Sequence, residues 1–224
     1  MPQVRANGID IYYERSGRGQ PLVLIAGLGY GLWMWHKMIP SLAKHLDVIA
    51  FDNRGAGQTD QPDGPYTVQM LAADTAGLMD ALNLQEAAVM GHSMGGFVAQ
   101  ELVLSRPDLV DQLILSSTNF GGPNSIPVTP EALAVMSNRE GDPIQVIKRG
   151  IAVACAPGFA QANPDVVQEL INYRLTNPVP PAQYQAQMAV GLALMDAAAC
   201  FESKLQNVQA PTLILFGEHD KVVP

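Results

Sequence analysis

Only two cysteines, Cys155 and Cys200, occur in 224 residues, far apart and in no CxxC pair. That excludes a disulfide scaffold and a cysteine-rich zinc module; the two read as free thiols in a reducing compartment. Basic residues are also few, 13 Lys and Arg against 21 Asp and Glu, for a formal net charge of −8. With no basic block, the chain is poorly suited to nucleic acid or to an anionic membrane. The longest apolar run, Met188 to Met195, falls well short of the ~20 residues that a membrane-spanning helix needs. The opening residues Met-Pro-Gln-Val-Arg-Ala-Asn-Gly contain no apolar signal segment. The expectation is a cytoplasmic protein with neither a membrane nor a nucleic-acid partner. No internal repeat is visible. No His/Asp/Glu cluster has metal-ligand spacing, so no metal and no cofactor are expected. What is present is a globular composition, 48% hydrophobic, of a length that suits one domain.

Ile9–Glu14 is β-rich and follows Asn7-Gly8, a hairpin dipeptide. Short, continuously apolar runs at 21–25, 48–51, 87–90 and 113–115 suit strands buried on both faces. Between them lie expected helices over 33–45, over 71–82 with Thr67 as N-cap, and over 95–106, stopped by Pro107. This alternation argues for βαβ units and a parallel sheet. From Gly121 to about Ser203 no buried-strand run occurs. Helix-like stretches take its place at 131–137, 143–154, 164–176 and 181–199, several of them begun by proline, a favoured first-turn residue. Thr212–Phe216 resumes the strand pattern. The expected organisation is an α/β core over 1–120, a helical cap or lid over 121–205, and the second part of the core over 206–224.

The segment Gly91-His92-Ser93-Met94-Gly95 fits G-x-S-x-G, and it stands between an expected strand and an expected helix. A nucleophilic serine on so sharp a turn needs small flanking residues, and the helix N-terminus beneath it favours negative charge. Three further segments occur in order: Ala26-Gly27-Leu28-Gly29 after a strand, Asp52-Asn53-Arg54-Gly55-Ala56-Gly57, and Phe216-Gly217-Glu218-His219-Asp220 after the last strand.

These four segments together resemble the α/β-hydrolase fold family, in its cap-bearing branch of small serine hydrolases. That branch includes esterases, enol-lactonases of the 3-oxoadipate type, cofactor-free haloperoxidases and C–C bond hydrolases. The resemblance implies a mostly parallel sheet flanked by helices, with a helical cap insertion. It implies Ser93 as nucleophile, Asp220 as the triad acid, and the backbone N–H groups of Leu28 and Met94 as the oxyanion hole. Ala26 stands where the family usually has histidine; backbone donors leave the hole independent of that change. Asp52 and Arg54 are expected to tie a loop near the site through a charge-assisted bond.

In this family the triad histidine follows the acid in chain order. Only four residues follow Asp220, and none is histidine. His36 and His45 lie far upstream, His92 adjoins the nucleophile and His219 adjoins the acid, so none is expected to serve as base. The expectation is a shortened form of a longer enzyme, lacking the last strand and helix, and weak or inactive as it stands. The expected function is hydrolysis of small carboxylic esters or lactones through an acyl-enzyme, with Phe159, Tyr173, Tyr184 and Phe201 either lining an apolar acyl pocket or, as is expected of most of them, packing within the cap. Perhydrolysis or haloperoxidation and C–C hydrolysis use the same constellation. A scaffold that only binds a small ligand is the rival from another class.

Overall fold

The computed structural model describes residues 2–224. Seven strands form one sheet: β1 (Gln3–Ala6), β2 (Ile9–Gly17), β3 (Gln20–Ile25), β4 (Leu46–Phe51), β5 (Ala87–His92), β6 (Val110–Ser116) and β7 (Thr212–Leu215). Their order across the sheet is β1-β2-β4-β3-β5-β6-β7. β1 and β2 are antiparallel to their neighbours, and all other pairs are parallel. The hairpin turns at Asn7 and Gly8, both at positive φ, as the Asn-Gly dipeptide favours. β1 itself escapes the sequence reading because it is short and half exposed.

Strand alternation splits the core in two. Val23, Ile25, Ile49, Phe51 and Val89 face one side, where α2 (Val68–Ala81) and α3 (Met94–Ser105) pack. Leu22, Leu24, Val48, Ala50, Ala88 and Met90 face the other, under Leu32 and Trp35. The central strands are thus buried on both sides, which is why they read as unbroken apolar runs. Thr67 caps α2 by accepting the Met70 N–H. The helix expected over 33–45 is instead a 3₁₀ turn, Leu32–Trp35, followed by a four-residue helix α1 (Ile39–Leu42). Two buried tryptophans hold the turn against the sheet, and Pro40 starts a new helix.

Between β6 and β7 the chain is helical: α4 (Pro130–Ser137), α5 (Pro143–Ala154), α6 (Phe159–Ala162), α7 (Pro164–Thr176) and α8 (Pro181–Ala193). α8 ends six residues before the expected Ala199. The Leu194 carbonyl accepts the Gly122 N–H, and the Asp196 carboxylate caps the Ala198 N–H, so the chain turns there. Among the described residues β7 pairs only with β6, and Leu213, Ile214 and Leu215 on it are exposed. Among the described residues no helix is long and apolar enough to cross a membrane.

β3 lies between β4 and β5, so the chain leaves β3 toward one side of the sheet and later returns to its other side. The loops after β3 and β5 separate at this switch point and open a crevice at the carboxyl ends of the strands.

Candidate active site

The crevice is walled by Gly27, Leu28, His92, Ser93 and Asp220 from the core, and by residues of the inserted helices, in a pocket of about 170 Å³. Ser93 sits between β5 and α3 at φ 53° and ψ −119°, a region that a side-chain-bearing residue seldom occupies. The strain is held from both sides: the Ser93 N–H donates to the Ser116 carbonyl at 2.9 Å, and its own carbonyl accepts from Gly96 N–H at 2.8 Å. Close backbone approach completes the turn. A Cβ on Gly91 would strike the Gly95 backbone, and one on Gly95 would strike the carbonyls of Ile25 and Ala26. Only glycine at both positions lets α3 lie so near the sheet.

The N–H groups of Leu28 and Met94 donate to no protein acceptor among the described residues. Met94 is the first residue of α3, where an orphan N–H and the helix dipole both favour an anion. The Leu28 loop is fixed around its free donor. Asn53 Nδ2 donates to the Ala26 carbonyl at 2.9 Å, and the Gly29 N–H donates to Gln187 Oε1 at 2.9 Å. Gln187 is wholly buried in α8, and its Nε2 donates to the Arg54 carbonyl at 2.8 Å. Nothing in the motif pattern flags this glutamine; its one signal is a polar residue four after Gln183 on a mostly apolar helix.

Asp220 is half-buried on the pocket wall, and its Oδ1 accepts the N–H groups of Val222 and Val223, each at 2.9 Å. Among the described residues no histidine is placed to bridge it to Ser93. His36 faces Glu169 at 3.0 Å and the Trp33 carbonyl at 2.9 Å, and His219 is exposed. His92 packs edge-on to Trp35, with Nδ1 3.2 Å from Ser116 Oγ. Burial pushes the His92 pKa below its ordinary value, opposed by the charge of Asp220, so the ring is neutral at pH 7.

One expectation is corrected, and one open choice is decided. Arg54 pairs with Asp74 of α2, not with Asp52: its Nε and Nη2 reach the two carboxylate oxygens at 2.8 and 2.6 Å, with both side chains buried. Asp52 instead accepts the N–H groups of Leu32 at 2.7 Å and Gln58 at 2.8 Å. Of the four candidate pocket aromatics only Tyr184 lines the pocket. Tyr173 stacks on Trp33 at 5.4 Å, Phe201 is buried in the main core, and Phe159 stands outside the pocket. Sequence reading missed two cationic wall residues, Arg139 and Arg174. Among the described residues no group of three His, Cys, Asp or Glu is placed to hold a metal ion.

The pattern of the family described as alpha/beta hydrolase fold matches residues 20–224. The chain belongs to the alpha/beta hydrolase family. RutD of Azorhizobium caulinodans is 36% identical over 115 residues, an overlap of 51% of this chain and only 43% of that protein. Thus the chain spans less than half the length of this curated relative. Two solved structures align over nearly all of it. The enol-lactonase from Burkholderia xenovorans LB400 has a TM-score of 0.77 and 25% identity, covering 97% of this chain and 82% of that one. A thermophilic esterase from Thermogutta terrifontis, solved with malate bound, has a TM-score of 0.82 and 27% identity, covering 100% of this chain and 83% of that one. This alpha/beta hydrolase therefore shares its fold with an enol-lactonase and an esterase that differ in the reaction named.

Proposed function

We propose that the protein is a serine hydrolase of small carboxylic esters or lactones, acting through an acyl-enzyme. The strained, glycine-braced Ser93 at the end of β5 carries this reading. Ser93 Oγ attacks the carbonyl carbon as its proton passes to a base, the histidine of the family arrangement or, in residues 2–224, solvent water, which returns a proton to the departing alcohol oxygen. The developing oxyanion takes the free N–H groups of Leu28 and Met94, each such donor being worth about 10²–10³ in rate. The alcohol leaves, and water releases the acid from Ser93. Residues 121–205 act as a cap whose helices complete the pocket. At about 170 Å³ the pocket is below the roughly 300–1,000 Å³ of drug-sized clefts, which favours short acyl chains.

Asp220 is the acid that orients a histidine base. No histidine in residues 2–224 stands in that place, so turnover by this chain is expected at the residual level that an oxyanion hole and binding sustain. A panel of short-chain esters and lactones tests the reading against Ser93→Ala. A slow rate that disappears in Ser93→Ala, with an acyl adduct on Ser93 seen by mass spectrometry, supports it. Folded protein with no Ser93-dependent rate and no adduct supports the ligand-binding alternative instead.

A further inference from the structure

The proposed reaction gives no task to a row of side chains that joins helix α7 to the loop after β3. Arg174 of α7 lies 3.7 Å from the ring centroid of Tyr30, and that ring meets Trp33 at 5.2 Å. Tyr173 of α7 stacks on Trp33 at 5.4 Å and meets the His36 ring at 4.4 Å. His36 then faces Glu169 of α7. Glu169 and Tyr173 are four residues apart and so share one face of the helix. At the pocket end the row grips Gly29, the neighbour of the Leu28 donor, because Arg174 Nη1 donates to the Gly29 carbonyl. At the far end stands His36, the one member of a type that changes charge between pH 5 and 8.

The contacts of His36 decide which form of the ring fits. Nδ1 lies 2.9 Å from the Trp33 carbonyl oxygen, and Nε2 lies 3.0 Å from Glu169 Oε1. Both partners are acceptors, so both ring nitrogens must donate, and only the imidazolium carries two N–H groups. Glu169 does not supply the proton. Lys37 Nζ pairs with its other oxygen, and Lys37 first, then His36, hold its carboxyl below the usual carboxylate range. We propose that His36 is a proton-operated latch, which in its charged form clamps α7 over the Ser93 pocket and in its neutral form releases it. This rests on the reading of residues 121–205 as a cap and adds how that cap is controlled. Loss of the Nε2 proton turns a lone pair toward a carboxylate at 3.0 Å and takes a cation away from the Tyr173 ring. The groups that face His36 are Glu169 and Tyr173 from α7 and Lys37 from its own segment, with Arg174 beyond them against Tyr30. Lys37 does not replace the latch. Its side chain is 51% exposed on a flexible stem, against 22% for His36, and it can follow Glu169 outward. Leu170 and Arg174 of α7 both line the pocket, so release of the helix opens that wall and loosens Gly29. The clamp is present in acid and is lost as pH rises through the titration of the ring.

Hydrogen–deuterium exchange at pH 5.5 and 8.5, corrected for the intrinsic pH dependence of exchange, reads the clamp at the amides of α7. The reference is α8, which the buried Gln187 bonds hold at either pH. In the wild-type protein the α7 amides should exchange about 3- to 5-fold faster at pH 8.5 relative to that reference. His36→Gln can still donate to Glu169 but does not titrate, so its α7 should show no pH response. Glu169→Gln should abolish or reverse the response, because its amide can donate to the neutral ring. Circular dichroism checks the folding of each variant. Equal wild-type protection of α7 at the two pH values overturns the latch, as does a response that survives unchanged in either variant. An α7 response of the expected size, with no Ser93-dependent ester hydrolysis and no acyl adduct on Ser93, upholds the latch and overturns the hydrolase reading instead.

Discussion

Asp74→Ala is the substitution whose cost follows most directly from the structure. Asp74 and Arg54 are 3% and 6% exposed at their side chains and share two hydrogen bonds; Asp74 also accepts Asn7 Nδ2 at 2.7 Å. Removing the carboxylate leaves a guanidinium that water cannot reach and that nothing else neutralises. Breaking a buried pair this way costs about 3–5 kcal/mol. At a urea dependence of about 2 kcal/mol per molar, that moves the unfolding midpoint down by about 2 M. The pair as a whole is a different matter, since each ion was desolvated to form it. Replacing both members with apolar residues, Arg54→Met with Asp74→Leu, should therefore come close to wild-type stability, within about 2 kcal/mol. Urea unfolding followed by circular dichroism for the wild type, both single variants and the double variant closes the cycle. A single-variant loss below about 1.5 kcal/mol, or a double variant as unstable as the two singles summed, refutes the reasoning. The outcome bears on the site, because the Arg54 carbonyl accepts from Gln187 and the neighbouring Asn53 holds Ala26.

Two further outcomes are expected. Gln187→Leu removes the partners of two buried backbone groups, the Gly29 N–H and the Arg54 carbonyl, and should lower stability by about 2–4 kcal/mol and slow the Ser93-dependent rate more than it weakens binding, as urea unfolding and kcat against KM will show. His92, whose pKa burial lowers from 6.5, should make stability fall as pH drops below about 6.5, because the unfolded chain takes up the proton first; above that pH its contribution is constant. Unfolding midpoints at pH 7.5 and 5.5 should therefore diverge less in His92→Gln than in the wild type, and an equal divergence contradicts the assignment.

The strands and most helix starts were legible because burial on both faces leaves an unbroken apolar run, and because proline and Thr67 mark where helices begin. Ser93 and the loop of Leu28 were legible for a related reason: glycines are required wherever backbones approach closely, and they stand out in sequence. What the sequence concealed depends on long-range pairing. Arg54 could be matched with Asp52 two residues away, but Asp74 sits on α2, and only the packing of that helix brings it to Arg54. Arg139 and Arg174 belong to no motif, and only the packing of the inserted helices places both on the pocket wall.

How the inserted helices hold the loop after β3 decides how far substrate choice and rate can vary independently. α7 meets that region through Arg174 on Gly29, Tyr173 stacked on Trp33, and Glu169 beside His36 and Lys37. The Glu169 pairs are partly solvated, and such contacts are worth about 0–1 kcal/mol each. The Gln187 bonds are different, because both ends are sealed from water and loss of either leaves an unsatisfied group. The firm attachment is therefore α8, and it acts one residue from the Leu28 donor. A substitution that resizes the pocket by shifting α8 also shifts an oxyanion donor, whose contribution depends on a fixed distance of about 3 Å. Changes on α4 and α5, which touch the pocket without gripping that loop, can alter which acyl group fits while leaving the donor in place.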